Sequence, residues 1–337
     1  MAQTFFPVTP VRCTPGTAND WIDVNLDDYF SGLGSDVTGV IIHAVNTLYV
    51  LGEAFGLRKN GSTDNRIGTI ALSSHCWAAI GVDSNHIFEA YVGNTTFVDI
   101  YIVGYTKTGV TFFTNAYDKS LSTTNTWTDI DCHVEAPGAI GLIFEINATS
   151  ESGYPAFALR KNGSTDNINN FVILHSNFGH IVGCDANQIC EGWILDTILD
   201  FYLVGYITDG ATFNTNAVAL SLAGAGAWTD LAALPANSVM GFIEVASPLG
   251  IDYRYGLRKN GSSENIYQGA RYHPCGFVEC DASGIIEGEV ADTKIKFYGI
   301  GQAWSIAPPT AVELGAFYQQ LSPLGFNMYR AGQVRGG

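Results

Sequence analysis

Charge is scarce in this chain, and positive charge is scarcer still. Charged residues make up 14% of its 337 residues, about half the share of an ordinary soluble domain. The 32 acidic residues outnumber the 16 basic ones and leave a net charge of −16. Such a chain repels a phosphate backbone and has no basic stripe to offset this, so nucleic acid is not expected as a partner. Anionic membrane surfaces are disfavoured for the same reason. No run approaches the roughly 18 apolar residues of a membrane span, so no membrane insertion is expected. The first residues, Met1 to Phe6, show neither a basic region nor an apolar run, and no export signal is expected. The seven cysteines are an odd number and, Cys184 and Cys280 apart, their positions do not recur, which argues against a disulfide framework. Cys184 and Cys190 flank a tight turn and could lie opposite each other, but reduced thiols are expected. Nucleophile elbows, phosphate-binding glycine loops and dinucleotide fingerprints are missing, so no catalytic residue, metal or cofactor is expected.

What the chain does have is repetition. Gly56-Leu57-Arg58-Lys59-Asn60-Gly61-Ser62-Thr63-Asp64-Asn65 recurs from Ala158 to Asn167 with nine of ten residues identical. It recurs again from Gly256 to Asn265, with Ser263 and Glu264 replacing Thr and Asp. Other landmarks keep step around this anchor. Each unit opens with Thr-Phe, as Thr4-Phe5, Thr111-Phe112 and Thr212-Phe213. Trp21, Trp127 and Trp228 follow, with Asp23, Asp129 and Asp230 two positions on. An apolar run after a glycine comes next, at Gly39, Gly141 and Gly241. A hairpin-like segment runs from Val82 to Glu89, from Cys184 to Glu191 and from Cys280 to Glu287. An aromatic strand closes each unit: Val98 to Tyr105, Leu199 to Tyr206 and Ile295 to Gly299, the last without the Val-Gly-Tyr ending.

The fold class that follows is all-β: three tandem β-sandwich, jelly-roll-like domains and a short tail. The expected boundaries are 1–107, 108–208, 209–305 and, for the tail, 306–337. In the middle copy the pattern predicts strands near 111–117, 125–132, 139–147, 154–161, 170–175, 180–185, 188–194 and 198–207. Asn162-Gly163 reads as a type I′ turn, with positive φ at both central residues. No window within the repeats sustains a helical period. Each unit is expected to bury a private apolar interior, the three forming either a rod or a compact trimer-like block. In the tail, Phe317, Tyr318 and Leu321 on one short helix, with Tyr329 and Arg330 beyond, suit either a strap on the third unit or an assembly arm.

Arg58-Lys59, Arg160-Lys161 and Arg258-Lys259 hold six of the sixteen basic residues. They read either as a basic notch for a carboxylate or as structural ion pairs with Glu89, Glu191 and Glu287. Asp83 with Glu89, and their copies, place two carboxylates across a hairpin, yet turn capping alone explains the Asp. His75 and His273 match in position, with Asn177 in the middle unit, but lack the further close ligands of a zinc site. Trp77, Tyr91 and Trp193 are candidate exposed platforms for a glycan.

The succession Trp127-Thr-Asp-Ile-Asp131, a glycine-initiated apolar strand, Leu57 to Asn65, Val82 to Glu89 and Tyr101-Ile-Val-Gly-Tyr105 resembles repeat modules of virion-associated proteins from tailed phages and environmental viruses. The likeness spans residues 4 to about 304, and that family carries no assigned catalytic residues to transfer. The resemblance implies a virion setting more than a mechanism. The triplicated sandwich, the missing signal and the acidic balance then suggest a non-enzymatic structural component of a phage virion exterior, a capsid decoration, fibre or tail accessory protein. Its expected partners are other virion proteins and further copies of itself. The alternatives are a cell-surface glycan-binding adsorption module and a self-assembling filament or tube subunit. Synthesis in the host cytoplasm, with incorporation into the virion, fits the missing signal.

Overall fold

The computed structural model describes residues 3–305, apart from 50–51, 150–154, 173–174, 221, 223, 248–252 and 270–273. The tail at 306–337, with Phe317, Tyr318, Leu321, Tyr329 and Arg330, lies outside the described residues, as does His273.

The first repeat forms β1 (Phe5–Arg12), β2 (Trp21–Asn25), β3 (Val37–Asn46), β4 (Glu53–Lys59), β5 (Gly68–Ile70), β6 (Ser74–Gly81), β7 (Ile87–Val92) and β8 (Val98–Lys107). The second forms β9 (Val110–Asp118), β10 (Thr128–Asp131), β11 (Gly141–Ala148), β12 (Ala156–Lys161), β13 (Asn170–Phe171), β14 (Asn177–Gly183), β15 (Ile189–Ile194) and β16 (Leu199–Ile207). The third forms β17 (Ala211–Ala219), β18 (Thr229–Asp230), β19 (Ser238–Ala246), β20 (Arg254–Lys259), β21 (Gln268–Gly269), β22 (Cys275–Glu279), β23 (Ile286–Val290) and β24 (Lys296–Trp304). Helix is confined, among the described residues, to one 3-10 turn at Leu26–Asp28.

Each repeat divides its strands in the same way. One sheet has the order β1-β8-β3-β6, repeated as β9-β16-β11-β14 and β17-β24-β19-β22. The other has the order β2-β7-β4-β5, repeated as β10-β15-β12-β13 and β18-β23-β20-β21. Eight antiparallel strands that alternate between two sheets in this order make a jelly roll. The second sheet reads as half-buried: β7 and β15 alternate strictly between partly exposed and buried residues, the pattern of a sheet with one wet face. In the first sheet β6 is buried at all but one position and β14 along its whole length. Those strands are buried almost throughout because both of their faces are covered.

The second cover comes from the other repeats. Strands β6, β14 and β22 pack against one another at the centre, so the repeats close into a triangular block and not a rod. Short parallel contacts stitch neighbours together: Thr69 pairs with Ser176, and Gly269 with Ser74. The buried apolar residues accordingly form one continuous cluster, which corrects the expectation of three private interiors.

Two of the three junctions use the same plug. Gly39 lies opposite Gly81, and Gly141 opposite Gly183. Phe112 of the second repeat lies against the first glycine pair, and Phe213 of the third repeat against the second. A Cβ on Gly81 would stand 2.5 Å from the Phe112 Cβ, and one on Gly183 would stand 2.5 Å from the Phe213 Cβ. Both rings are 6% exposed, a burial that stabilises each junction by roughly 1.5–3 kcal/mol.

Pairing registers revise three of the sequence alignments. The partner of Gly205 is Phe112 and that of Gly301 is Phe213, but the partner of Gly104 is Pro7, not Phe5. Met240, not Gly241, is the counterpart of Gly39, because Met240 faces Glu279 where the other repeats pair glycines. The third closing strand runs on to Trp304 and keeps the register shift of the other two at Ile300-Gly301, so the Val-Gly-Tyr ending is substituted and not lost. The Asn162-Gly163 turn is not type I′. Among its central residues only the glycine has positive φ, +83°, and the Ser164 N–H closes the turn on the Lys161 carbonyl, as in a type II turn.

Replacing Gly183 with valine should push Phe213 off its seat and cost about 1–3 kcal/mol of unfolding free energy. Replacing Glu279, its counterpart in the third repeat, with valine should cost less than about 1 kcal/mol, because the half-exposed pair it makes with Lys259 is worth little. Urea denaturation of the two variants gives the comparison, and equal losses would contradict the plug.

Candidate functional site

The landmarks that define the repeat converge on one row of the outer sheet. Asp23 lies opposite Glu89, and Glu89 opposite Arg58, across three strands. Asp129, Glu191 and Arg160 repeat the row, and so do Asp230, Glu287 and Arg258. Two carboxylates side by side repel each other, and the guanidinium offsets that repulsion. Arg58 donates from Nε at 2.8 Å and from Nη2 at 2.7 Å to the two Glu89 oxygens. Arg160 holds Glu191 in the same bidentate way at 2.9 and 3.2 Å, and Arg258 donates to Glu287 at 2.7 Å. Each guanidinium lies over a tryptophan: Trp21 at 4.3 Å, Trp127 at 3.8 Å and Trp228 at 4.0 Å. The arginines are therefore committed to structural ion pairs stacked on indoles.

Their third contact shapes the loop that follows. Arg58 Nη1 donates to the Asp64 carbonyl at 2.8 Å, Arg160 to that of Asp166 at 2.6 Å and Arg258 to that of Glu264 at 2.6 Å. The loop so held is a clasp for the next repeat. Ser62 Oγ donates to Asn115 Oδ1 at 2.9 Å, the Thr63 N–H donates to the same oxygen at 2.8 Å, and the Ala116 N–H donates to the Asp64 carboxylate at 2.8 Å. Ser164, Thr165 and Asp166 grip Asn216 and Ala217 identically, at 3.0, 2.8 and 2.6 Å. The lysine of the pair crosses too: Lys59 Nζ reaches the Phe112 carbonyl and Lys161 Nζ the Phe213 carbonyl, both at 3.3 Å. Burial pulls the Lys59 ammonium down from its ordinary value, against the opposing charge of Asp83. Asn115 and Asn216 escaped the sequence reading, although Thr114-Asn115-Ala116 and Thr215-Asn216-Ala217 are a shared signal that the first repeat lacks.

The carboxylate across the hairpin caps its turn. Asp83 Oδ1 accepts from the Asn85 and Ile87 N–H groups at 2.8 and 2.9 Å, and its other oxygen accepts from Asn60 at 2.8 Å. Asp185 and Asp281 do the same. Partial burial would raise the Asp83 carboxyl, but these hydrogen bonds outweigh it and hold the group below its usual value.

Between the repeats lie polar groups that the sequence reading left unassigned or misplaced. Arg66 enters the second repeat and donates to Glu145 from Nε at 2.8 Å, while its Nη1 lies 3.1 Å from Asp64. Burial pushes the Glu145 carboxyl up in spite of this partner. At the junction of the first and third repeats, His43 Nε2 and His75 Nδ1 share a hydrogen bond of 2.8 Å. Trp77 stacks flat on His43 at 4.1 Å, and Tyr255 of the third repeat lies 4.4 Å from His75. Trp77 is 2% exposed and offers no face to a sugar, which corrects its reading as a platform. Burial lowers His43 to about 3 and takes His75 far down as well. Tyr91 and Trp193 are half-buried on the outer sheet, opposite Gly56 and Ala158, and the matching place in the third repeat is Glu289. No cluster of metal-ligating side chains occurs among the described residues. All seven cysteines are free and buried, Cys184 and Cys190 included.

No protein-family model matches the chain, and no curated protein matches it. Among solved structures, it is similar to a chain in the atomic structure of Sulfolobus Turreted Icosahedral Virus, at 11% identity over 90% of this chain and 92% of that one, with a TM-score of 0.23. A second likeness is to a structure described as the triple jelly roll fold and turret assembly in an archaeal virus, at 10% identity over 90% and 91%, with a TM-score of 0.24. A third is to the CBM22-1-CBM22-2 tandem domain of Paenibacillus barcinonensis Xyn10C, at 8% identity over 61% and 98%, with a TM-score of 0.18. The assignment of the fold rests on this chain's own strand order.

Two outcomes follow from the buried groups. Arg66→Met leaves the Glu145 carboxylate buried without its cation and should cost roughly 3–5 kcal/mol. The double variant Arg66→Met/Glu145→Met should recover most of that loss in urea denaturation. The histidines set the acid response. Their native values lie below the unfolded value near 6.5, so the stability of neutral burial is complete above that pH. It is lost as pH falls from there, at about 1.4 kcal/mol per pH unit for each proton that the unfolded chain takes up and the native pair refuses. His75→Asn, which copies Asn177, should flatten the slope between pH 7 and 5. Equal wild-type stability at the two pH values would refute this account.

Proposed function

We propose that this chain is a structural component of the exterior of a virus particle, either a capsid decoration or fibre subunit or a tail accessory protein. The observation that carries the reading is the closed block of three jelly rolls, held by one loop motif used as a clasp between successive repeats. In the Arg-Lys-Asn-Gly-Ser motif and the hairpin after it, most charged side chains are spent on the block itself, in ion pairs, turn caps and clasps. Such a unit is rigid, and its outer sheets, with their edge strands β2, β10 and β18, are left to dock on neighbours in a symmetric assembly. The acidic surface keeps it soluble and away from packaged nucleic acid. Other virion proteins and further copies of the chain are the partners this reading assigns.

A glycan-binding role loses support from the burial of Trp77 and from the acidic Glu289 at the place of Tyr91 and Trp193, since repeated shallow sites need the same platform in each unit. Mass spectrometry of purified particles of the encoding virus should find the chain at stoichiometric levels. Its absence from the particles would overturn the proposal.

A further inference from the structure

The third junction, where the last repeat meets the first, departs from the other two in its socket, its plug and its lysine. Its socket is filled: Met240 faces Glu279 where the other repeats pair two glycines. Its plug is missing: Pro7 occupies the place of Phe112 and Phe213, and Phe5 instead meets Phe242 edge-on at 5.6 Å. Lys259 Nζ no longer crosses to a main-chain carbonyl but pairs with Glu279 at 2.7 Å. The strand that should fill the clasp brings Val8, Thr9 and Pro10, which supply no carboxamide, and Pro10 has no N–H to give.

The clasp loop itself is intact. Gly261 has a φ of +76°, against +80° and +83° in its two counterparts. The Ser262 N–H closes on the Lys259 carbonyl at 3.0 Å, the Glu264 N–H donates to Ser262 Oγ at 3.1 Å, and Arg258 holds the Glu264 carbonyl. The same groups that catch Asn115 and Asn216 elsewhere, a serine hydroxyl, the next N–H and a carboxylate one residue on, thus stand preformed. Among the described residues no hydrogen bond joins the Ser263 N–H or the Glu264 carboxylate to the first repeat. A cleft of about 380 Å³ lies between this loop and Val8, Thr9 and Pro10, room for roughly a dozen waters or a few residues of chain. Burial and then the Glu279 charge push the Glu264 carboxyl up.

We infer that this open clasp is a binding site for an extended peptide segment of another chain, recognised by a side-chain carboxamide followed by a small residue. The two filled clasps display that ligand: carboxamide oxygen on the serine hydroxyl and the adjoining N–H, and the next main-chain N–H on the carboxylate. With Met240 and Glu279 in the socket, the segment carries no aromatic plug. Preorganised loops lose little entropy on binding, so a short peptide suffices. The inference rests on the junction alone and does not depend on the assignment to a virus particle.

The test uses the full chain, labelled with nitrogen-15, and the blocked pentapeptide of residues 114–118, Thr-Asn-Ala-Tyr-Asp. Saturable shifts of the Ser263 and Glu264 amide resonances are expected. An analogue with Ala in place of Asn115 should bind at least tenfold more weakly, and so should the parent peptide to Ser262→Ala or Glu264→Gln protein. A spectrum otherwise unchanged shows that these variants fold. No binding, shifts confined to other surfaces, or equal binding of the Ala analogue would each overturn the inference. So would N-acetylglucosamine shifting the same amides when the peptide does not.

Discussion

The constraint on which the rest depends is the two-sided burial of one sheet edge. In each repeat the strands β3 and β6, or their copies, are buried on both faces, while a single jelly roll covers only one. Left alone, each repeat would expose a largely apolar strip to water. Closing three repeats around β6, β14 and β22 removes all three strips at once, and the glycine pairs let the next repeat's backbone approach close enough to seat a phenylalanine. The interior is therefore one cluster. The repeat is a unit of sequence and of topology more than a unit of stability.

Around that interior the polar chemistry is divided by position. On the outer sheets, arginine, tryptophan and two carboxylates form the same row three times, which stiffens the loop behind it. At the junctions, the loop turns its donors towards the neighbour. Among the described residues the buried junction contacts differ: Arg66 meets Glu145 at one, and His43, His75 and Trp77 fill another, although Glu244 repeats the buried carboxylate of Glu145. A symmetric trimer of separate chains would hold three equal junctions. Fusing the copies into one chain frees each junction to differ, and the third has changed on both sides together.

Much of this was legible in residue spacing. In the second repeat the expected strands at 139–147 and 188–194 match β11 (Gly141–Ala148) and β15 (Ile189–Ile194), because alternation and turn residues report strands directly. The reading of Asp83 as a turn cap and of Arg58 as an ion pair with Glu89 followed from local chemistry, and both geometries are present. Trp77 was misplaced because alternation shows which face a side chain takes and not whether a second layer covers that face. The alignments at Phe5 and Gly241 slipped because residue identity was matched where pairing register decides equivalence. Asn115 was overlooked because its role exists only across a junction.

By itself the sequence determined the all-β class, the threefold repetition and the groups that serve turns and cross-strand pairs, since these depend on neighbours a few residues away or directly opposite in a ladder. Only the tertiary structure decided that the repeats share one interior, which junctions are plugged and which is open. Those outcomes depend on contacts between residues many tens of positions apart, whose free energy comes from excluding water between surfaces that meet only once the chain has closed on itself.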